Sequence, residues 1–383
     1  MTRPDALLAW LAAREGAMIA LLEEVVNLDS GSYDKAGVDA VGERFAQFFA
    51  EQGIPVERRR NEGFGDAFLA SVAGPGGANR PIVLMGHRDT VFPEGEAGRR
   101  PFRIENGRAY GPGVADMKAG LVMNAFVAAA FHALGGAPAP LTVLLTSDEE
   151  IGSPACRPVI EETARGARAV FNAEPGRPTG NVVTGRKGGV FMECAVTGRA
   201  AHSGGNFQAG ISAINEIAHK IVALKDVTDL DAGITLNVGL VSGGQSVNTV
   251  APWARIGIDL RYVEPPQREA AMARVRAIVD HATVEGTHAE LVVKGEFLPL
   301  VQDEASHALF AGYREAMGSL GHAVEGEFSG GCADSGFTSA VGCPTLCSTG
   351  PVGGLAHSPE EYLELGSVVP RAQGLALAIA GLR

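Results

Sequence analysis

Apolar runs that end in histidine, aspartate or glutamate constrain this chain more than any other feature. Residues 82–85 (IVLM) lead to the motif GHRDTV at 86–91, and the apolar residues of 141–145 lead to TSDEEIGS at 146–153. The glycine-rich turn GPGVADMKAG at 111–120 lies between them. Continuous apolar runs are typical of strands buried in a parallel sheet, where ligands gather at the carboxyl ends of the strands. Three clusters of ionisable side chains meeting at one sheet edge indicate a metal site.

The first half of the chain predicts a mostly parallel α/β layer, because strands and helices alternate along it. Strands are predicted at 55–60, 67–73, 81–86, 140–146 and 168–173, helices at about 5–28, 38–52 and 118–134, a loop at 92–113, and a turn at 74–77. At 383 residues the chain is too long for one compact core, so a second domain is expected.

The pattern changes after residue 186, where the strand–helix–strand–strand–helix–strand order of a ferredoxin-like domain begins. These elements are predicted at 190–198, 208–225, 234–241, 254–262, 266–283 and 288–295. A helix at 304–318, a strand around 344–348 and a closing helix at 368–382 then return to α/β character. We therefore predict one domain from 1–186 and 299–383, with residues 187–298 inserted as a ferredoxin-like α+β domain.

Composition and charge exclude several classes of partner. The net charge of -12, without a lysine- or arginine-rich run, argues against nucleic-acid binding. No apolar run is expected to be long enough to cross a bilayer, and the N-terminal stretch lacks the features of a secretory signal. The five cysteines are odd in number and scattered, which favours free thiols in a reducing cytoplasm.

Five residues are candidate metal ligands: His87, Asp116, Glu150, Glu174 and His357. They supply two imidazole nitrogens and three carboxylates. That set is about what two adjacent Zn²⁺ ions require if one carboxylate bridges them.

The motifs GHRDTV, GPGVADMKAG, DEEIGS, NAEPG, GRAAHSG and AHSPEEY occur here in this order. Together they resemble the M20 family of zinc peptidases, over essentially the whole chain. The resemblance implies a zinc-peptidase-like catalytic domain with a mostly parallel central sheet, at 1–186 and 299–383. It also implies that residues 187–298 form a dimerisation (lid) domain, and that the cofactor is two Zn²⁺ ions, with Mn²⁺ or Co²⁺ as alternatives.

The same resemblance assigns the ligands. Asp116 would bridge the two metals, His87 and Glu174 would complete one of them, and Glu150 and His357 would complete the other. It also implies a cis peptide bond after Asp116, although Met117 follows here where the family commonly has an acidic residue.

Two acidic residues next to the ligands have implied roles in catalysis. Asp89 would accept the other ring N–H of His87, which fixes the tautomer and raises the basicity of the ligand. Glu149 directly precedes a ligand, so on extended backbone its side chain points the other way; the resemblance makes it the general base that takes a proton from the attacking water. We interpret Asp148 as structural.

His202, in the motif GRAAHSGG, is far in sequence from the candidate ligands. By itself such a histidine is more often structural. The resemblance instead implies that it crosses the interface of a homodimer and donates a hydrogen bond to the developing oxyanion in the partner's active site.

Four further residues bear on the substrate. The resemblance implies that Asn248 and Arg261 bind its terminal carboxylate, a task that suits a planar guanidinium. Arg186 and Lys187 would meet a second carboxylate, as on a glutamate side chain; a solvated charge at a hinge is an equal alternative. The segment GGCADSG at 330–336 resembles a glycine-rich substrate loop and leaves the role of Asp334 open.

The sequence thus predicts a di-zinc hydrolase that acts on a small peptide or acyl-amino acid. The motifs look most like the glutamate carboxypeptidase branch of the family, which favours release of a C-terminal glutamate. The alternative within the class is an N-acyl-amino-acid deacylase, similar to acetylornithine or succinyl-diaminopimelate deacylases. Other classes left open are a non-catalytic metal- or peptide-binding protein and a di-iron or di-manganese oxidoreductase, although the latter usually places Glu-x-x-His pairs on the helices of a bundle.

Overall fold

The computed structural model describes residues 3–74 and 80–382, which form two compact units. The first unit comprises the residues up to Gly185, Leu300–Ser329 and the residues from Ala333 on. The second comprises Arg186–Pro299 and Gly330–Cys332. The role of catalytic domain for 1–186 with 299–383, and that of dimerisation domain for 187–298, stay predictions.

The described residues contain helices and strands in alternation. The helices are α1 (Pro4–Ala12), α2 (Glu15–Val26), α3 (Lys35–Glu51), α4 (Glu96–Arg99), α5 (Ala119–Ala133), α6 (Arg157–Ala164), α7 (Ala213–Leu224), α8 (Pro265–Asp280), α9 (Glu304–Ser319), α10 (Ser335–Ala340) and α11 (Val368–Gly381). The strands are β1 (Val56–Arg59), β2 (Ala67–Val72), β3 (Ile82–His87), β4 (Arg103–Glu105), β5 (Arg108–Tyr110), β6 (Leu141–Thr146), β7 (Ala169–Asn172), β8 (Val182–Arg186), β9 (Gly188–Thr197), β10 (Thr235–Gly243), β11 (Trp253–Tyr262), β12 (His288–Phe297), β13 (Gly326–Ser329), β14 (Thr345–Cys347), β15 (Gly353–Gly354) and β16 (Tyr362–Glu364).

The first unit is built on a mixed eight-stranded sheet with the order β1-β2-β6-β3-β7-β14-β8-β13. Its central strands β6, β3, β7 and β14 run parallel, which confirms the predicted mostly parallel core. Strands β1, β2 and β8 pair antiparallel with their neighbours. Because the central strands are parallel, the residues that follow β3, β6 and β7 lie at the same edge of the sheet.

Helix α5 is the core helix of this unit. The segment Val114–Ala133 has the length and composition of a membrane span, so the expectation that no apolar run is long enough was wrong. However, 94% of the apolar stretch of this segment is buried inside the protein. It packs against α1, α2 and α11, as the central helix of a globular core does.

The second unit has the predicted ferredoxin-like topology. Its four-stranded sheet has the order β10-β11-β9-β12, with all neighbours antiparallel. Helices α7 and α8 contribute apolar residues such as Ile217 and Val275 to one core with Met192 and Ile256 of the sheet. Strand β10 is an edge strand and is exposed over most of its length.

Three local predictions differ from the structure or fall outside it. The predicted helix 5–28 is two helices, because Arg14 has non-helical backbone and its guanidinium donates to the Trp10 carbonyl (3.2 Å) near the end of α1. The predicted loop 92–113 contains α4 and two short strands of a second sheet, β15-β16-β5-β4. The turn predicted at 74–77 lies, beyond Gly74, outside the described residues.

Candidate metal centre

His87 ends the central strand β3 and has an exposed fraction of 1%. Its Nδ1 atom lies 3.0 Å from the backbone carbonyl oxygen of Asp89 and 3.4 Å from the Asp89 carboxylate. Because a carbonyl oxygen only accepts, the ring proton of His87 lies on Nδ1. Nε2 therefore keeps a lone pair that is available to a metal ion.

Asp89 is fully buried and joins His87 to the acidic turn after β6. Its carboxylate accepts hydrogen bonds from the Ser32 hydroxyl (2.7 Å) and from the backbone N–H groups of Glu149 and Glu150 (3.1 Å each). Burial by itself would raise its pKa, but the adjacent His87 and these donors lower it. Asp89 thus holds the turn in register with the end of β3.

The acidic turn places two glutamates differently. Glu150 Oε2 lies 3.1 Å from His357 Nε2, whereas Glu149 Oε2 lies 4.0 Å from His87 Nε2. Asp148 accepts backbone N–H groups of Ala155 (2.5 Å) and Cys156 (3.2 Å). These bonds support the structural interpretation of Asp148.

Asp116 lies between the two histidines, just before a cis peptide bond to Met117. Its Oδ1 is 3.3 Å from His87 Nε2, and its Oδ2 is 3.4 Å from His357 Nε2. Oδ1 is buried and receives no hydrogen bond from the residues that the structure describes. It therefore faces the lone pair of His87, and two acceptors at that distance attract each other only when a cation lies between them.

The five candidate ligands form two groups of three. One is His87, Asp116 and Glu174, and the other is Asp116, Glu150 and His357; within each group the ligand atoms lie within 4.8 Å of one another. Asp116 belongs to both groups. Each group offers one imidazole nitrogen and two carboxylates, which suits Zn²⁺, and a shared carboxylate suits a two-metal site.

The charges of the centre also favour a bound cation. Asp116 and Glu150 accept hydrogen bonds from the His357 ring, which raises the pKa of His357 to about 10. Burial raises the pKa of Glu149 well above its ordinary value, and the charges of Glu174 and other nearby carboxylates raise it further, against the effect of His87. Carboxylates crowded into a buried site create the negative potential that a divalent cation neutralises.

His202 lies in the second unit and is exposed. Its Nδ1 accepts the backbone N–H groups of Gly204 (3.1 Å) and Gly205 (3.0 Å). A ring nitrogen that accepts cannot also carry the proton of the neutral imidazole, so the proton lies on Nε2. His202 therefore presents a hydrogen-bond donor at Nε2.

Arg186 and Lys187 are both anchored within the second unit. Arg186 is buried, and its Nη1 lies 3.3 Å from the carbonyl oxygens of Gly331 and Cys332. Lys187 Nζ donates to the Gly233 carbonyl at 2.6 Å. The alternative of a freely solvated hinge charge therefore does not describe either side chain.

Arg261 lies beside the same Gly331–Cys332 segment. Its Nε and Nη2 donate to the carboxylate of Asp259 (2.7 and 3.0 Å), and its Nη1 lies 2.7 Å from Cys332 Sγ. Asn248 is exposed and its Oδ1 accepts the Ser246 hydroxyl at 2.8 Å. Two guanidinium groups, those of Arg186 and Arg261, thus converge on one short segment.

Comparison with known proteins identifies the family. The sequence profile of Peptidase family M20/M25/M40 matches residues 83–381. The chain belongs to this family. It is 29% identical to carboxypeptidase G2 from a Pseudomonas species, over 96% of this chain and 90% of that protein. It is also 29% identical to acetylornithine deacetylase from Vibrio vulnificus, over 91% of this chain and 92% of that protein.

Solved structures agree on the fold. An M20 family metallo-carboxypeptidase from Sulfolobus solfataricus superposes with a TM-score of 0.79 at 18% identity, over 95% of this chain and 99% of that chain. The protein is therefore an enzyme with metallopeptidase or amidohydrolase activity of the M20 type. M20 enzymes depend on metal ions. Because the family and the curated relatives are peptidases and amidohydrolases, a non-catalytic binding protein and an oxidoreductase are no longer alternatives.

Glu361 belongs to the centre of this M20 enzyme but was not singled out in the sequence. Its carboxylate has an exposed fraction of 0% and accepts the backbone N–H groups of Gly113 (3.1 Å), Ala115 (2.8 Å) and Asp116 (2.9 Å). Burial and the charge of Asp116 raise its pKa to about 7. The motif AHSPEEY contains Glu360 and Glu361 side by side, and the sequence does not say which of them is buried.

Asp334 is a second supporting residue, whose role the sequence left open. Its buried carboxylate accepts the hydroxyl groups of Ser153 and, at 3.4 Å, Thr146. Burial raises its pKa to about 8. Since Ser153 closes the acidic turn and Thr146 ends β6, Asp334 braces the turn that carries Glu149 and Glu150.

Proposed function

We propose that this enzyme is a di-zinc carboxypeptidase that cleaves the amide bond to a C-terminal amino acid, preferably glutamate. The observation that carries the proposal is that two groups of candidate ligands share Asp116 while Glu149 stands beside them and belongs to neither. A shared carboxylate with a separate acid–base group is the arrangement that two-metal hydrolysis requires.

The proposed ligands follow the two groups. His87, Asp116 and Glu174 would hold one ion, and Asp116, Glu150 and His357 the other. When bound, Zn²⁺ would polarise the scissile carbonyl and lower the pKa of water. Asp89 would keep the His87 ring oriented through its bonds to the acidic turn.

Glu149 is the proposed general base. It would take a proton from the attacking water and return it to the leaving amine. Burial raises the pKa of Glu149 well above its ordinary value, and an acid–base catalyst needs a pKa near the working pH.

The substrate proposal depends on the second unit. Arg261 and Asn248 would bind the terminal carboxylate, and Arg186, with Lys187 nearby in sequence, would face the side-chain carboxylate of glutamate. Arg186 and Arg261 both lie beside Gly331–Cys332, and two guanidinium groups next to one short segment support a dicarboxylate substrate. Bidentate pairing with carboxylates is characteristic of arginine.

We further propose a homodimer in which His202 of each copy completes the active site of its partner. The Nε2 donor of His202 supports a role at the oxyanion. Strand β10 supports an interface, because it is an exposed edge strand on which Leu240 and Val241 expose 75% and 67% of their surface. Val222 of α7 adds an exposed apolar side chain to the second unit.

A cytoplasmic location is part of the proposal. None of the five cysteines, all of which lie in the described residues, forms a disulfide bond, and four of them are buried. Free thiols are typical of proteins in a reducing compartment.

Deacylation of an N-acyl-amino acid is the second candidate function. The similarity to acetylornithine deacetylase covers 91% of this chain and 92% of that protein, close to the 96% and 90% found for carboxypeptidase G2. The same ligands and general base would serve this reaction, so the two candidates differ only in the groups that flank the amide.

The test is an assay of zinc-loaded protein on folyl-glutamate, N-acetyl-ornithine, N-acetyl-methionine and several dipeptides. We expect fastest release of glutamate from folyl-glutamate. Glu149→Gln should lower kcat by about 10²–10⁴-fold and leave the zinc content unchanged, because Glu149 belongs to neither ligand group. The matched control is Glu360→Gln, which alters an exposed glutamate near the centre.

Each outcome of this assay has one meaning. Preferential cleavage of an acyl-amino acid would replace the carboxypeptidase by the deacylase and keep the chemistry. Undiminished turnover by Glu149→Gln would remove Glu149 from the mechanism. Zinc-bound protein that hydrolyses none of these substrates would contradict the proposed function.

A further inference from the structure

We propose that Glu361 is a positioning residue. Its carboxylate connects the loop of His357 to the loop of Asp116 by hydrogen bonds and so sets the spacing of the second ligand group. That group is Asp116, Glu150 and His357. The inference rests on the proposed function, since it takes these residues as metal ligands. It assigns to Glu361 no contact with substrate.

The connection consists of three hydrogen bonds to the Glu361 carboxylate. Oε1 of Glu361 accepts the N–H groups of Ala115 and Asp116, and Oε2 accepts that of Gly113. Both oxygens are therefore engaged, and both hold the turn that ends in Asp116. A buried carboxylate is stable only when such donors satisfy it, so the turn and the carboxylate hold each other in place.

A buried lysine anchors the residues that follow this turn. Lys118 is fully buried, and its Nζ donates to the Leu28 carbonyl at 2.8 Å. The backbone around Asp116 is thus held by hydrogen bonds of both Glu361 and Lys118. An amide at 361 would offer only one acceptor oxygen and would remove part of this support.

Hydrogen bonds within the loop connect the backbone around His357 to Glu361. The Ser358 N–H donates to the Leu355 carbonyl, and the Glu361 N–H donates to the Ser358 carbonyl, at 3.2 Å each. The Ser358 hydroxyl also donates to the Leu355 carbonyl at 2.7 Å. A shift of Glu361 would therefore move His357 as well.

The two ligand groups differ in what else holds them. His87 ends a central strand and is almost fully buried. The His357 side chain is 53% exposed and has a left-handed backbone (φ 64°). Packing therefore fixes His87, whereas the position of His357 relative to Asp116 depends on the connection between two loops that Glu361 supplies.

The experiment measures zinc affinity and content for Glu361→Gln beside the wild type and Glu360→Gln, by competition with a chromophoric chelator. We expect the wild type and Glu360→Gln to bind two Zn²⁺ ions per chain. Glu361→Gln should retain the first ion and bind the second about 10- to 100-fold more weakly, as expected for the loss of a residue that orients ligands. Glu361→Asp, which keeps the charge on a shorter side chain, should fall between them.

Circular dichroism of the metal-free proteins separates positioning from general stability. Equal zinc affinities for Glu361→Gln and the wild type would overturn the inference alone. So would metal-free Glu361→Gln that is unfolded at the assay temperature, because Glu361 would then support the whole unit. Wild-type protein that binds fewer than two ions would contradict the proposed function itself.

Discussion

Replacement of Lys220 by methionine should destabilise the second unit by about 3–5 kcal/mol, the usual cost of removing one partner of a buried ion pair. Lys220 Nζ lies 2.7 Å from Glu216 Oε1, and the exposed fractions of the two side chains are 2% and 0%. Without Lys220, the carboxylate of Glu216 would stay buried with two backbone donors, the N–H groups of Thr283 and Val284.

The same ammonium group also closes helix α8. It donates to the carbonyl oxygens of Ile278, Val279 and His281 at 2.8–3.2 Å. A thioether cannot donate, so these carbonyls lose their partner in the variant. The upper part of the range is therefore expected, since each unsatisfied buried polar group costs about 1–3 kcal/mol.

Urea unfolding followed by tryptophan fluorescence measures this change. The chain has two tryptophans, Trp10 and Trp253, and Trp253 lies in strand β11 of the second unit. A Trp10→Phe background therefore reports on that unit alone. Lys225→Met is the control, because Lys225 is exposed and its replacement should change stability by less than about 0.5 kcal/mol.

The pH dependence provides a second readout with a definite sign. In the wild type, burial would raise the pKa of Glu216, but Lys220 and the backbone donors lower it below 4.5. The ion pair thus stabilises the folded form above pH 4.5 and loses this effect as the pH falls further. In Lys220→Met, burial dominates and raises the pKa, so stability should increase on acidification from neutral pH to about 5.5. A loss of less than about 1 kcal/mol, without that increase, would refute the reasoning.

Three further predictions concern the centre and the interface. Asp116→Asn should lower the affinity for both metal ions, since Asp116 belongs to both ligand groups; zinc content after dialysis checks this, and loss of one ion only would contradict a shared ligand. His202→Ala should lower kcat by about 10²–10³-fold with little change in KM, as for loss of one oxyanion donor; an unchanged kcat would exclude that role. Val241→Lys should shift the dimer to monomer in analytical ultracentrifugation and lower activity with it, because a charge on the edge of β10 blocks strand pairing; an active monomer would refute completion of the site by the partner.

The sequence predicts the main chemistry of this protein because the informative residues follow buried strands. Strands β3, β6 and β7 were expected within one or two residues of their bounds, since parallel strands in a covered sheet are apolar throughout. His87, at the end of β3, and Glu149, Glu150 and Glu174, after β6 and β7, were therefore expected at one sheet edge. The ferredoxin-like order could also be predicted, because its helices and strands follow one another in a regular pattern.

Features that depend on tertiary contacts were not predictable. The break between α1 and α2 depends on Arg14 turning back onto Trp10, with its guanidinium 3.6 Å from the ring centroid. The burial of Arg186 depends on carbonyl groups about 145 residues further along the chain. Glu361 is distinguished from Glu360 only by the turn at residues 113–116. Propensity and periodicity are local, and these contacts are not.

The apolar helix α5 has a consequence for the biosynthesis of the protein. Its partner α11 follows the second unit in the chain, and the second unit is almost continuous in sequence. During translation α5 emerges more than two hundred residues before α11. We expect the second unit to fold while the first is still incomplete, because domains fold as units as they are synthesised. Until α11 leaves the ribosome, the face of α5 that packs against it stays uncovered on a segment as apolar as a membrane span, and nascent chains truncated before α11 should be strong clients of chaperones.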